Sequence, residues 1–287
     1  MKTNRRSFLK NGGAAIASAA LMSSIPVNLF AAGPAARKRS FGFQVWTIKE
    51  KLIADFAGTL NEMAAMGYTE VEMCSPLGYS TSGFAPLHQM KNSEMRGIID
   101  QSGLKCTSSH FNVGELRESL DNRMEWATAM GMKQMVLASF WLGKDASLDD
   151  YRKAAQELNG IGAKTKAAGI QMVFHNHHME FEKLEGKLIY DVLLEELDPD
   201  LVKMQFQVAV FNIGYKAADY FRAHPGRFIS AHLSDWSAEK DSQVAIGQGD
   251  IDWDDFFKAT KAGGVKNIYV EMDPSTFPES ATFLKGI

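Results

Sequence analysis

Two cysteines in 287 residues, Cys74 and Cys106, are too few for a disulfide framework. They fall in separate expected strands, so a single bond between them stays open in an oxidising compartment. The chain also lacks a run of the roughly 20 apolar residues that a membrane helix needs, which argues against a stable membrane span. It has no surplus of positive charge. Lys and Arg number 31 against 34 Asp and Glu, a formal net charge of −3. That balance offers no basic footprint for nucleic acid and no polybasic patch for lipid, so neither is an expected partner. Finally, no glycine-rich phosphate loop follows the first expected strand, where Thr47 leads into Ile48-Lys49-Glu50-Lys51.

What is present begins with a separate preface. Asn4-Arg5-Arg6-Ser7-Phe8-Leu9-Lys10 precedes a weakly apolar, small-residue stretch from Gly12 to about Ile25, and Ala31 to Ala36 is again rich in small residues. The arrangement resembles a twin-arginine export signal. It departs from the common form in having Asn4 where Ser or Thr is usual, and Pro34 obscures the cleavage point. A membrane anchor or a basic tail are the alternatives. On this reading residues 1–36 are a signal peptide, residues 40–287 are the folded domain, and the location is periplasmic or extracytoplasmic. Without Lys2, Arg5, Arg6 and Lys10 the remainder is more acidic still.

The folded part alternates β-type and helix-type segments. Phe41 to Thr47 alternates apolar and polar residues, and Leu52, Phe56, Leu60 and Met63 then recur at helical spacing as far as Gly67. Similar units run from Glu70 to Met73 with Asn92 to Gln101, from Leu104 to His110 with Glu115 to Met130, and from Gln134 to Ser139 with Leu148 to Ala168. Four further strands are expected at Ile170 to Asn176, Val202 to Gln207, Arg227 to Leu233 and Val265 to Glu271. Their helices lie near Leu188 to Leu197, Ala217 to Ala223 and Trp253 to Ala262, and a short last helix near Glu279 to Leu284 is expected to cover the eighth position incompletely. Glycines such as Gly67, Gly103 and Gly169 supply the left-handed turn from helix to strand. Eight strands in this order, over roughly 250 residues, give an α/β fold of a single (β/α)8 TIM barrel. The missing phosphate loop speaks against the open doubly wound sheet.

Ionisable residues stand at the ends of these apolar segments: Glu72, His110, His175-Asn176-His177, His232, Asp235 and Glu271. Since such barrels collect active-site groups at the carboxyl ends of their strands, these residues are expected to share one polar mouth. His175 and His177 alternate and face one way, Asn176 faces the other, and His178 reads as a loop residue. Glu72 and His110 are candidates to bind sugar hydroxyls or to orient other groups. Glu180 is open between a ligand, a partner of an imidazole and a surface acid. Trp46, Phe111, Trp141 and Trp236 offer flat faces for a sugar ring or pack in the core, while Asp252 reads as the cap of the following helix.

Several motifs together resemble the sugar-phosphate isomerase/epimerase group of xylose isomerase-like TIM barrels. They are Phe43-Gln44-Val45-Trp46-Thr47, Gly67 to Glu72, Ser108-Ser109-His110, the run Phe174 to Phe181, Pro225-Gly226-Arg227, His232 to Trp236, Gly247 to Trp253 and Val270 to Asp273. The resemblance implies a divalent metal at the mouth and proton transfer next to a sugar carbonyl, with metal ligands from strands five to eight. By position these are His175, Glu180, Gln207, His232 and Glu271, with Glu271, Glu180 and His175 as catalytic groups. Glu72, His110, His177, Trp46 and Asp235 then bind the substrate. Gln207 stands where the family has Asp, and His175 where Glu is common. A nitrogen-rich set of this kind favours Mn²⁺, Co²⁺ or Zn²⁺ over Mg²⁺. The expected partner is a small-molecule sugar or an oxidised glycoside, and a homo-oligomer is left open. Isomerisation or epimerisation is the first expectation. A lyase acting on 3-keto-glycosides through the same enolate, and a non-catalytic sugar-binding barrel, are the alternatives.

Overall fold

Each apolar segment pairs with its sequence neighbour, and the last pairs with the first, so that eight parallel strands close into a barrel in the computed structural model. The structure describes residues 40–287. The expected signal segment, residues 1–36, lies outside them. The strands are β1 (Gly42–Gln44), β2 (Glu70–Cys74), β3 (Lys105–Phe111), β4 (Gln134–Leu137), β5 (Gln171–His175), β6 (Val202–Gln207), β7 (Phe228–Leu233) and β8 (Asn267–Val270). A helix follows each one: α1 (Phe56–Met66), α2 (Asn92–Gln101), α3 (Leu120–Met130), α4 (Leu148–Ala167), α5 (Ile189–Glu196), α6 (Ala217–Ala223), α7 (Trp253–Gly263) and α8 (Phe277–Lys285). Two short antiparallel hairpins, Lys183–Leu184 with Lys187–Leu188 and Asp235–Ser237 with Ser242–Val244, extend the loops after β5 and β7.

Local chemistry explains where these elements depart from the periodic pattern. Strand β1 stops at Gln44 because the side-chain oxygen of Gln44 accepts from the backbone N–H of Trp46, turning the chain into a short 3-10 helix. The helical stretch after it breaks at Asp55, whose extended backbone ends one helix and whose carboxylate accepts from Gly58 N at 2.8 Å to start α1. At the far end of α1, Gly67 has φ 107°, a left-handed conformation that costs glycine nothing. The last helix corrects an expectation. Helix α8 runs beyond Glu279 to Leu284 in both directions, and Phe277, Ala281 and Leu284 are buried against the barrel. The Tyr68 hydroxyl donates to the Phe277 carbonyl at 3.0 Å, tying the eighth position to the second strand's entry.

The space between sheet and helices is apolar and strongly aromatic, with Phe181, Tyr190, Phe206, Phe221 and Phe228 in mutual ring contact. Burying each such side chain contributes about 2 to 3 kcal/mol, so the sheet's outer face holds the fold. The barrel interior is different. Where most such barrels stack branched aliphatic residues, this one stacks Glu72, Ser108, His110, His175, Gln205, Ser230 and His232, all buried. Both cysteines are buried and free, so the bond left open between them is not formed. Burial pushes the Cys106 thiol up to about 12.

Candidate active site at the carboxyl end of the barrel

Strand periodicity chooses which side chains enter the barrel. Ser108 and His110 on β3, Gln205 and Gln207 on β6, and Ser230 and His232 on β7 are spaced by two and share the inner face. Parallel register then sets them level, with Cys74 beside His110, Gln205 beside both His175 and Ser230, and Gln207 beside His232. Glu271 follows β8 directly and is fixed by its N–H, which donates to the Leu233 carbonyl at 3.1 Å.

His232 is the hinge of the site. Its Nε2–H donates to Glu72 Oε2 at 2.5 Å and its Nδ1–H to Glu271 Oε2 at 2.8 Å, so one imidazole joins two carboxylates. Burial opposes its charge, but Glu271 and Glu72 outweigh that and raise its pKa to about 9. Burial likewise resists ionisation of Glu72, yet the His110 and His232 imidazoles hold it well below the usual carboxylate range. Glu271 is lowered too, with His232 overcoming the cost of burial. The upper pair behaves in the opposite way. Burial pushes His175 well below the ordinary imidazole value and His177 down to about 4, so both are neutral at pH 7, and each keeps a buried Nδ1 without a hydrogen-bond partner.

Glu72 does not reach the mouth, which corrects its reading as a sugar-binding group. It is fully buried, and its oxygens are taken by Ser108 Oγ at 2.6 Å, Gln205 Nε2 at 2.9 Å, His110 Nε2 at 3.2 Å and His232. Its place is beneath the histidines, orienting them. Asp235 is likewise turned away. Its carboxylate accepts from Gly247 N at 2.9 Å, Gly249 N at 3.1 Å, Trp253 Nε1 at 2.8 Å and Trp236 N at 2.9 Å, and so organises the loop that precedes α7. A Cβ on Gly249 would lie 2.2 Å from Asp235 Oδ1, which is why glycine stands there. Phe111 packs on Trp126 in the core and offers no face to a ligand.

Glu180 stands apart from the histidine cluster. Its carboxylate accepts from Ser139 Oγ at 2.9 Å and from the His177 backbone N–H at 2.7 Å, bracing the loop after β5. Burial raises its pKa. His177 lies between the cluster and the rim, with its ring 4.9 Å from His175 and 5.2 Å from Trp141. Trp46 is 37% exposed beyond β1, packed beside Phe84 with the Lys49 ammonium over its ring. His178 is exposed and bonded to Asn212, and Asp252 caps α7 through the N–H of Asp255.

Sequence reasoning missed Gln205, the most connected amide of the site. It accepts from His110 Nε2 at 2.9 Å and donates to Glu72 and to Ser230 Oγ at 3.0 Å. Its two-residue offset from Gln207 was the available signal. Asn176, expected to face the other way from His175, accepts at Oδ1 from the backbone N–H of Gln207 at 3.1 Å.

The donors present fit a divalent ion. The ring nitrogens of His110, His175 and His232 lie within 4.8 Å of one another, and His175 Nδ1 is buried without a hydrogen-bond partner. His232 Nδ1 and Gln207 Nε2 both converge on Glu271 Oε2, each at 2.8 Å. With His232 Nδ1 turned to a metal, its other N–H would stay on Glu72, the arrangement in which an outer carboxylate fixes the ligand's tautomer.

A closed barrel of eight parallel strands with imidazoles and carboxylates at its carboxyl end defines the class as a TIM barrel with an enzyme-like mouth. Residues 60–287 match the xylose isomerase-like TIM barrel family, and the chain belongs to it. A sugar phosphate isomerase/epimerase from Parabacteroides distasonis ATCC 8503 superposes with a TM-score of 0.73 at 23% identity, over 88% of this chain and 96% of that one. D-psicose 3-epimerase, solved in the presence of D-fructose, gives 0.62 at 13% identity over 86% and 97%. The IOLI protein, solved with a bound zinc atom, gives 0.59 at 15% over 86% and 94%. No curated protein sequence matches the chain. Among the described residues no helix is long and apolar enough to cross a membrane.

Proposed function

We propose that this protein is an exported carbohydrate enzyme that removes a proton from the carbon beside a sugar carbonyl, with divalent-metal assistance, to isomerise or epimerise the sugar. The observation that carries the reading is the convergence of neutral His175, the His232–Glu271 pair and Gln207 at one mouth, over a carboxylate that is buried and already satisfied. His175, His232, Glu271 and Gln207 would hold the ion, which when bound polarises the substrate's carbonyl and hydroxyl oxygens as a Lewis acid. Glu271, which keeps a second carboxylate oxygen beyond the one shared with His232 and Gln207, would take and return the proton beside the enolisable carbon. Glu72, Ser108 and Gln205 hold the imidazoles in place, and Glu180 holds His177 at the rim. Export by the twin-arginine route, inferred from residues 4–10, favours an unphosphorylated sugar.

Elimination is the second reading, favoured by the open rim at Trp141, where a substituent of the reacting ring has room. In that case the proton leaves the carbon beside a 3-keto group, the bond to the neighbouring glycosidic oxygen breaks, and the departing oxygen keeps the electron pair and picks up the proton.

Proton NMR in D2O with metal-supplemented protein and a panel of ketoses, aldoses and 3-keto-glycosides tests both. Deuterium at the carbon beside the carbonyl, with a rearranged sugar, supports the first reading. Loss of the aglycone with a new vinylic signal selects elimination. Saturable binding with no exchange anywhere would leave a sugar-binding barrel. Gln207→Asp adds a test of the ligand set. With a negative charge beside Glu271, Zn²⁺ or Mn²⁺ affinity measured by competition with a chromophoric chelator is expected to rise about tenfold or more. An unchanged affinity places Gln207 outside the ion's reach.

A further inference from the structure

We propose that the barrel carries a second sugar subsite built on Trp141, outside the histidine cluster, so that the substrate is a glycoside of at least two rings. The proposal rests on the reading of the histidine cluster as a carbohydrate site and extends it outward.

Trp141 is the most exposed large apolar side chain among the described residues, at 56%. Its backbone has φ 50°, in the left-handed region that a bulky L-residue seldom adopts and that persists only where the surroundings impose it. They do so here through one small network. Trp141 N donates to Ser139 Oγ at 3.3 Å, Ser139 Oγ donates to Glu180 Oε1 at 2.9 Å, and Glu180 Oε2 accepts from the His177 N–H at 2.7 Å. A single buried carboxylate therefore fixes the chain under the indole and under His177 together. The result is a path of rings leading out of the cluster, with His175 and His177 4.9 Å apart and His177 and Trp141 5.2 Å apart.

Beyond Trp141 the path opens into a groove of about 340 Å³ whose lining includes Leu142, Lys144, Tyr151, Glu182 and Lys183. An exposed indole is a platform for the C–H face of a pyranose. Around it, cationic Lys144 and Lys183 are offset by Glu182, so the groove offers hydrogen-bonding heads of both signs, suited to hydroxyls more than to a phosphate. A strained indole left mostly in solvent next to a histidine of the cluster lacks an occupant for its outer face. A second sugar ring supplies one.

Calorimetric titration of the full chain with cellobiose, maltose and trehalose, against glucose, tests the subsite without requiring turnover. At least one disaccharide is expected to bind about tenfold tighter than glucose, with Trp141→Ala abolishing that gain. Trp141→Phe, which keeps a flat ring, should retain most of it. Trp141→Gly should melt no lower than the wild type because glycine adopts φ 50° freely, while losing the preference. Disaccharides that bind no tighter than glucose, or not at all, overturn the proposal. So does an equal loss for both ligands in Trp141→Ala, or a markedly lower melting temperature for Trp141→Gly, which would make the indole a packing group. Retained disaccharide preference with no deuterium exchange removes the proton-transfer reading but not the subsite. Exchange on monosaccharides with a silent Trp141→Ala does the reverse.

Discussion

Replacing Glu271 by Gln is expected to lower the rate of carbon–hydrogen exchange by about a thousandfold or more while leaving the barrel folded. The carboxylate is asked to do two things, to take a proton and to hold positive charge, and an amide of the same shape does neither. The structural role survives the change. The amide oxygen still accepts from His232 Nδ1–H, now 2.8 Å from Glu271 Oε2, and the backbone link to Leu233 is untouched. The variant should therefore melt within a few degrees of the wild type. Deuterium incorporation into the responding sugar, measured beside the melting curve, separates the two effects. Exchange at the wild-type rate in a folded Glu271→Gln protein would take Glu271 out of the mechanism.

The other large effect is expected in stability. Glu72→Ala leaves His110, His232, Ser108 and Gln205 facing a void at full burial, and stranding a buried charge in this way costs about 3 to 5 kcal/mol. Glu72→Gln should cost less, because an amide can donate to His232 Nε2 if the ring turns neutral, with its remaining proton on the Glu271 side. That difference has a pH signature. His232 has its folded pKa raised from 6.5 to about 9, so its stabilisation is complete below 6.5 and is lost as pH rises through 9. Glu72, lowered from 4.5, contributes stability that is present above 4.5 and lost as pH falls toward its folded value. His175 and His177 are lowered from 6.5 by burial, so they add to the acid limb as pH falls below 6.5. Together these place maximum stability between about pH 6 and 7. The alkaline limb from His232 alone is worth about 3 kcal/mol. Urea unfolding of the metal-free protein from pH 5 to 9.5 should show this profile, and Glu72→Gln should flatten its alkaline side. A variant with the wild-type alkaline slope would show that Glu72 does not hold the His232 proton.

Much of the architecture was legible because it depends on local regularities. The alternation of strand and helix segments is repeated along the chain, and Asn92–Gln101, Val202–Gln207 and Ala217–Ala223 lie where the pattern put them. Boundaries moved where a side chain intervened, as at Gln44 and Asp55, since a cap or a turn answers to one hydrogen bond and not to periodicity. The expectation that α8 would cover its strand poorly failed because Phe277, outside the span counted, does part of the covering.

By itself the sequence determined the parallel barrel, and therefore that Glu72, His110, His175, His232 and Glu271 come from strands whose carboxyl ends meet at one mouth. Depth and partnership were decided by the tertiary structure alone. The closing register sinks Glu72 beneath two histidines, joins Gln205 to His110 and Glu72, turns Asp235 into the Gly247–Gly249 loop and stands Trp141 against His177. A two-residue period tells which way a side chain points, but the distance between side chains on different strands depends on how the barrel staggers and closes, which no stretch of sequence carries on its own.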